Sequence, residues 1–260
     1  MSVPAEVTTR EARSRAREIK FVVEISKYER ILEWARCRMS ADEHGTGSHG
    51  DEYQTSTLYF ETRAFDVYKR RGSYGLSKYR IRRYGPSDTV FLERKFRTER
   101  LLVKRRTTVA LDAISNLAAA TPDPGWSGFW FHRRVQLREL QPLVQLSYDR
   151  VARVGQSSHG PVRLTIDRNL RALPLPDFAF LPPVGLSFLE RACVVEVKYQ
   201  MELPALFREL AETFCLDVQK ISKFRAALRA LDYPLPRDPD EEVPHPLLMT
   251  DPDPAGTYAD

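Results

Sequence analysis

The chain has 260 residues, 42% of them hydrophobic, enough for one sizeable core with tails. Lys and Arg number 40 against 35 Asp and Glu, a formal charge of +5, which favours an anionic partner without choosing among nucleic acid, an acidic membrane and a phosphate polymer. No apolar run nears the ~20 residues of a spanning helix, and no secretory signal is visible; Cys37, Cys193 and Cys215 form no C-x-x-C pair, which points to a reduced, cytoplasmic setting.

In chain order, residues 1–17 read as a polar, basic arm, disordered or weakly helical. Residues 18–233 read as one unit, opening with period-two alternation over residues 18–23, the strand signal. Residues 26–39 carry helical spacing, with Tyr28, Ile31, Leu32 and Ala35 on one face. Asp42 and Glu43 read as plain surface acids. The Gly-rich stretch 44–50 lacks the G-K-[ST] ending of a phosphate-cradling loop and reads as a flexible loop; His44 and His49 are weak metal candidates. Further strands are expected over 55–61, 77–84, 90–97 and 101–110. A helix is expected over 129–140, where Trp126, Phe129, Trp130 and Phe131 suit packing better than base stacking. Strands follow over 144–152, 162–167 and 192–200. Helices follow over 206–214 and 218–231, the second capped by Asp217. Residues 234–260, rich in Pro and acid, read as a disordered tail.

The informative feature is which residues share a strand face. Lys78, Arg80 and Arg82 lie on one side, with Tyr79 and Ile81 on the other. Glu93 and Lys95 oppose Leu92 and Phe96; Glu196 and Lys198 oppose Val195, Val197 and Tyr199; Glu18 and Lys20 oppose Ile19, Phe21 and Val23; Arg163 and Asp167 oppose Val162, Leu164 and Ile166. A solvated outer face accounts for any one strand. Across five strands the cations outnumber the acids, and like charges ~7 Å apart repel by roughly 2 kcal/mol at an effective dielectric near 20. A polyanion held among them would offset that cost. A closed antiparallel β-barrel in an α+β fold, with helices on its apolar outside, gives the charged face a lumen wide enough for one slender ligand. Lys220 and Lys223, read as sharing one helix face near its N-terminus, add a further anion signal.

Several segments together resemble one family, the VTC (vacuolar transporter chaperone) polyphosphate polymerase domain of the triphosphate tunnel (CYTH-like) metalloenzyme superfamily. Glu18-Ile19-Lys20-Phe21 is similar to its E-x-K-aromatic strand. Ser56-Thr57-Leu58-Tyr59-Phe60-Glu61-Thr62 is similar to its S-x-Y-F-D-T strand, with Glu61 where Asp is usual. Lys78 to Gly85 resembles its R-x-R-x-Y-G strand. Leu92-Glu93-Arg94-Lys95, Lys104-Arg105-Arg106, Tyr148-Asp149-Arg150, Arg163 to Arg168, Val195-Glu196-Val197-Lys198 and Lys220-Ile221-Ser222-Lys223-Phe224 follow in order.

The resemblance implies an ATP-dependent polyphosphate polymerase, a phosphotransferase working with Mn²⁺ or Mg²⁺. Lys20, Lys78, Arg80, Arg82, Lys95, Arg150, Arg163, Lys198, Lys220 and Lys223 would hold phosphate oxygens. Glu196 would ligate the metal, helped by Glu93; Lys20, Arg80, Arg82, Lys95 and Glu196 form the catalytic set. The chemistry agrees: phosphoryl transfer needs positioning and charge stabilisation, which Arg and Lys supply, and a hard cation wants carboxylate oxygen. The implied partners are ATP and inorganic polyphosphate, with a separate membrane protein as a further candidate. Nucleic acid is not expected, since the cations are mixed with acids on strand faces instead of forming one exposed stripe. A triphosphatase on the same tunnel, and a non-catalytic polyphosphate or nucleotide sensor or scaffold, remain alternatives.

Overall fold

A computed structural model describes residues 9–14, 16–97 and 102–235; the expected tail beyond residue 235 lies outside them. Among these residues are eleven strands: β1 Thr9–Ser14, β2 Ala16–Glu24, β3 Ser40–Ala41, β4 Glu52–Glu61, β5 Ser77–Tyr84, β6 Thr89–Arg97, β7 Leu102–Ala110, β8 Gln141–Ser157, β9 Gly160–Pro174, β10 Leu186–Ser187 and β11 Ala192–Gln200. The helices are α1 Tyr28–Arg38, α2 Phe129–Leu137, α3 Ala205–Phe214 and α4 Lys223–Ala230. No helix among the described residues is long and apolar enough to cross a membrane. All three cysteines are free.

The strands form one antiparallel sheet in the order β1-β7-β6-β5-β4-β8-β9-β11-β2, with β3 on β8 and β10 on β9. Its outer face is apolar in two patches. Phe21, Val23, Val162, Leu164, Ile166, Val195 and Val197 pack under α1 and α3. Leu58, Phe60, Tyr79, Ile81, Val90 and Leu92 pack under α2, which contributes Phe131 and Val135. Trp126 and Trp130 rest against this second patch, so the aromatic run serves packing, as expected.

The other face is concave. Lys95 on β6 reaches Glu18 on β2 at 3.3 Å, although these strands stand far apart in the sheet order. The sheet therefore curls round with the charged face inward. Among the described residues it is not closed by hydrogen bonds, which corrects the expected closed barrel: β1 pairs there only with β7, and β2 only with β11. The reason is topological. The two edge strands are successive lengths of chain, β1 ending at Ser14 and β2 starting at Ala16, and each takes a different neighbour. Strand β1 also falls inside the stretch read as an arm; residues 1–8 and 15 lie outside the described residues.

At one end the inner face turns apolar. Val22, Leu146, Ala172 and Val194 there meet Ile221, Phe224 and Leu228 of the α4 region, so α4 packs inside the curl. It starts five residues later than expected. Its N-cap is Ser222, and Asp217 caps nothing. Lys220 therefore stands outside the helix and does not share a face with Lys223.

Candidate phosphate-binding tunnel

Register places the inward residues. Lys78 faces Lys95, and Arg80 faces Glu93, across β5 and β6. On β7 the partners continue as Arg106 opposite Glu93 and Lys104 opposite Lys95. On the far side Glu196 lies between Lys20 and Thr165, and Lys198 between Glu18 and Arg163. The period-two reading thus brings Lys20, Lys78, Arg80, Arg82, Lys95, Arg150, Arg163, Lys198, Glu93 and Glu196 onto one inner wall. From α4, Lys223 joins them by an ion pair to Asp167 at 2.7 Å. Lys220 is exposed on the stretch running beside β2, where the Gln219 N–H donates to the Lys20 carbonyl.

The acids differ in what surrounds them. Glu93, 1% exposed, accepts from Arg80 at 2.6 Å and pairs with Lys104 at 3.0 Å and Arg106 at 2.5 Å. Burial alone would raise its carboxyl, but Arg80, Arg82, Lys104 and Arg106 together hold it well below the usual range. With three cations on its oxygens it acts as their counter-ion. Asp167 is fully buried, bound in two-pronged fashion by Arg150 at 2.6 and 2.8 Å. Burial opposes its ionisation, yet Arg150 and Lys223 bring it down to about 2. This triad ties α4 to the wall.

Glu18 and Glu196 form the remaining pair. Lys20 bridges them, at 3.0 and 3.6 Å, and Lys198 does so at 3.9 and 2.8 Å. Against burial and their mutual repulsion, these lysines keep both carboxyls below their ordinary range. In return Glu196 and Glu18 raise the Lys20 ammonium despite its burial. Opposite Glu196 in register, the buried Thr165 Oγ1 has no hydrogen-bond partner among the described residues. Two hard carboxylates beside an unsatisfied hydroxyl fit a small divalent cation that takes its other ligands from phosphate and water. No group of three His, Cys, Asp or Glu suited to a metal occurs among the described residues, so His44 and His49 do not form one.

Some inward cations, Arg82 and Lys78 among them, have no ion pair among the described residues, and Lys104 shares Glu93 with two arginines. Arg82, 6% exposed, has among the described residues only the Thr57 hydroxyl as a hydrogen-bond acceptor, at 3.3 Å. Its neighbours Tyr84 and Tyr148 are aromatic, with Tyr148 also lying beneath Arg150 and Lys223. Lys78 opens to the lumen, and its sunken position together with Lys20, Lys95, Arg70 and Arg80 pushes it down to about 8. Lys104 also falls to about 8, through burial and Arg106 and Arg80, against Glu93. Burial would raise the Tyr84 phenol; Arg82, then Arg106 and Arg150, overcome this and Glu93 to bring it to about 7.

Sequence reasoning gave no site role to Lys104, Arg106, Tyr84, Asp42 or Glu18. Lys104 and Arg106 alternate along β7 as Lys78 and Arg80 do along β5, so the signal was there. Tyr84 continues the Arg80–Arg82 row. Asp42 carried no signal and corrects an expectation: instead of a surface acid it is buried and pairs with Arg163 at 3.2 Å, while Arg163 donates to the Tyr53 hydroxyl at 2.8 Å. Glu61, the departure from the usual Asp, accepts the backbone N–H groups of Thr62, Val67 and Tyr68. It secures the turn after β4 and lies off the phosphate path.

A family model described as the VTC domain matches residues 15–232. Comparison with curated proteins finds no match. Among solved structures, a putative adenylate cyclase from Bacillus halodurans is 18% identical with TM-score 0.52, over 81% of this chain and 95% of its own. A Hippeastrum protein, described as a putative adenylyl cyclase with a dominant triphosphatase activity, is 18% identical with TM-score 0.43, over 82% of this chain and 94% of its own.

Proposed function

Because the chain belongs to the VTC-domain family, we propose that it is a metal-dependent polyphosphate polymerase, transferring the γ-phosphoryl group of ATP to a polyphosphate end inside the curled sheet. The observation that carries this reading is the unbalanced inner wall: Arg82 without a carboxylate, and Lys78, Lys95 and Lys104 in successive register positions. Such an array is costly when empty and suits a chain of phosphates.

Arg80, Arg82 and Arg150 grip phosphate oxygens through their planar donors, and Lys20, Lys95, Lys198 and Lys223 supply point charges. Glu18 and Glu196 would hold Mg²⁺ or Mn²⁺, which, when bound, neutralises charge on the transferring group. An oxygen of the terminal phosphate of the acceptor attacks the γ-phosphorus; the bond to the β,γ-bridging oxygen breaks, and ADP leaves. The attacking oxygen is already anionic near neutral pH, so no dedicated base is required.

A triphosphatase would use the same wall with water as acceptor. Incubation with ATP and Mn²⁺, with and without a short polyphosphate primer, separates the two on a gel. A lengthening ladder, lost in Glu196→Gln, is expected. Free phosphate without a ladder sinks the polymerase reading, and tight binding without turnover leaves a sensor.

A further inference from the structure

Beyond the phosphate wall, one end of the inner surface is aromatic. Tyr84 follows Arg80 and Arg82 on the same face of β5. Tyr53 meets it edge-on at 5.4 Å between centroids, and Phe91 lies 5.5 Å away. The exposed ring of His44 stacks on Tyr84, with centroids 5.9 Å apart and planes within 15°. Arg106 spans the boundary, its guanidinium over Phe91 and one nitrogen 3.4 Å from the Tyr84 hydroxyl.

His44 is presented by a built turn. Asp42 holds the start of this turn to the wall through Arg163 and accepts the His44 N–H at 3.2 Å. Thr46 and Glu52 then pair through two backbone hydrogen bonds. Gly45 is needed there, since a Cβ would lie 1.9 Å from the Gly50 carbonyl oxygen. The Gly-rich stretch therefore acts as an arm that sets one ring against the mouth.

We propose that this cluster is the nucleobase subsite, in which the base of a nucleoside triphosphate is sandwiched between Tyr84 and His44. The inference rests on the triphosphate-binding reading above. Spacing supports it. Each step along β5 covers ~7 Å, so Arg82 and Arg80 lie one and two steps inward from the ring, the order in which a triphosphate follows its nucleoside. The exposed His44 side chain has only to move off by about one ring thickness, ~3.5 Å. Stacking reads a π-face that every base has, so the site should accept GTP as well as ATP.

The test is calorimetric titration of wild type and His44→Ala with ATP, GTP and inorganic tripolyphosphate. His44 is exposed, so its removal leaves the fold intact. Loss of one stacking ring is expected to weaken ATP and GTP by about tenfold and to leave tripolyphosphate unchanged. An unchanged ATP affinity, or an equal loss for tripolyphosphate, overturns the subsite while the phosphate-binding reading stands. If wild type binds none of the three, that reading fails first and the subsite with it.

Discussion

Two ion clusters sit on opposite faces of the same sheet. Beneath α1, Asp51 is fully buried and accepts from Arg36 at 3.0 Å and from Arg153 at 3.1 Å; Arg36 also pairs with Glu52. Arg153 also donates through Nη2 to the carbonyls of Arg36 and Met39, while its buried Nε has no hydrogen-bond partner among the described residues. Arg168 also comes within 3.9 Å of Glu52, so each of three arginines has a carboxylate partner, and hydrogen bonds to Asp51 raise the Arg36 guanidinium further despite its desolvation. Inside the curl, Lys78 and Lys104 are pushed the other way, and Arg82 finds only a hydroxyl. Every arginine of the outer cluster has a carboxylate partner; on the inner wall Arg82 and Lys78 have none among the described residues. Contact with a carboxylate, more than burial, separates an ion cluster that builds a fold from one that binds a partner.

The largest effect that would sharpen this contrast is on the outer side. Asp51→Ala leaves Arg153 buried without its carboxylate, and should cost about 3–5 kcal/mol of stability in urea unfolding. Tripolyphosphate affinity of the folded fraction should not change; a matching loss of affinity would merge the two clusters. Arg82→Ala should do the reverse. Removing a charged donor from phosphate costs about 1.5–3 kcal/mol, roughly ten- to a hundredfold in affinity by calorimetry, with little change in the urea midpoint. Lys95→Ala should behave likewise.

The third handle is pH. Lys78 and Lys104, at about 8, and Tyr84, at about 7, all lie below their ordinary values of 10.5 and 10.0. Between pH 7 and 9 the folded, empty protein loses these protons while the unfolded chain keeps them, so their contribution to stability rises with pH. Each lost proton also makes the wall less positive, so tripolyphosphate affinity should fall over the same range. Parallel pH series of urea midpoints and binding constants check the opposed slopes; slopes of the same sign would break the comparison. The smallest effect belongs to Lys78→Gln, which should remove part of the repulsion and raise the thermal midpoint of the empty protein slightly, while tripolyphosphate then stabilises it less than wild type.

Much of the inner wall was legible because strand geometry writes itself into sequence. Lys78, Arg80 and Arg82, or Glu196 and Lys198, fall on one face by the pleat alone. The helix start was not legible: residues 218–222 keep an apolar spacing, but the chain there runs extended beside β2, and Ser222 takes the cap. Nor could the pattern reveal Asp42, whose partner Arg163 is distant in sequence and reached through a loop. Closure was misjudged for a related reason, since alternation fixes which way a residue points and is silent on which edges pair.

The seam has a consequence for self-association. Strand margins offer unpaired backbone groups to other chains. Here the two margins of the main ladder are adjoining lengths of the same N-terminal segment, so strands β7 and β11, which would otherwise be the exposed borders, are each covered by it. One short piece of chain hems both sides of the sheet, and its loss would uncover two adhesive borders at once.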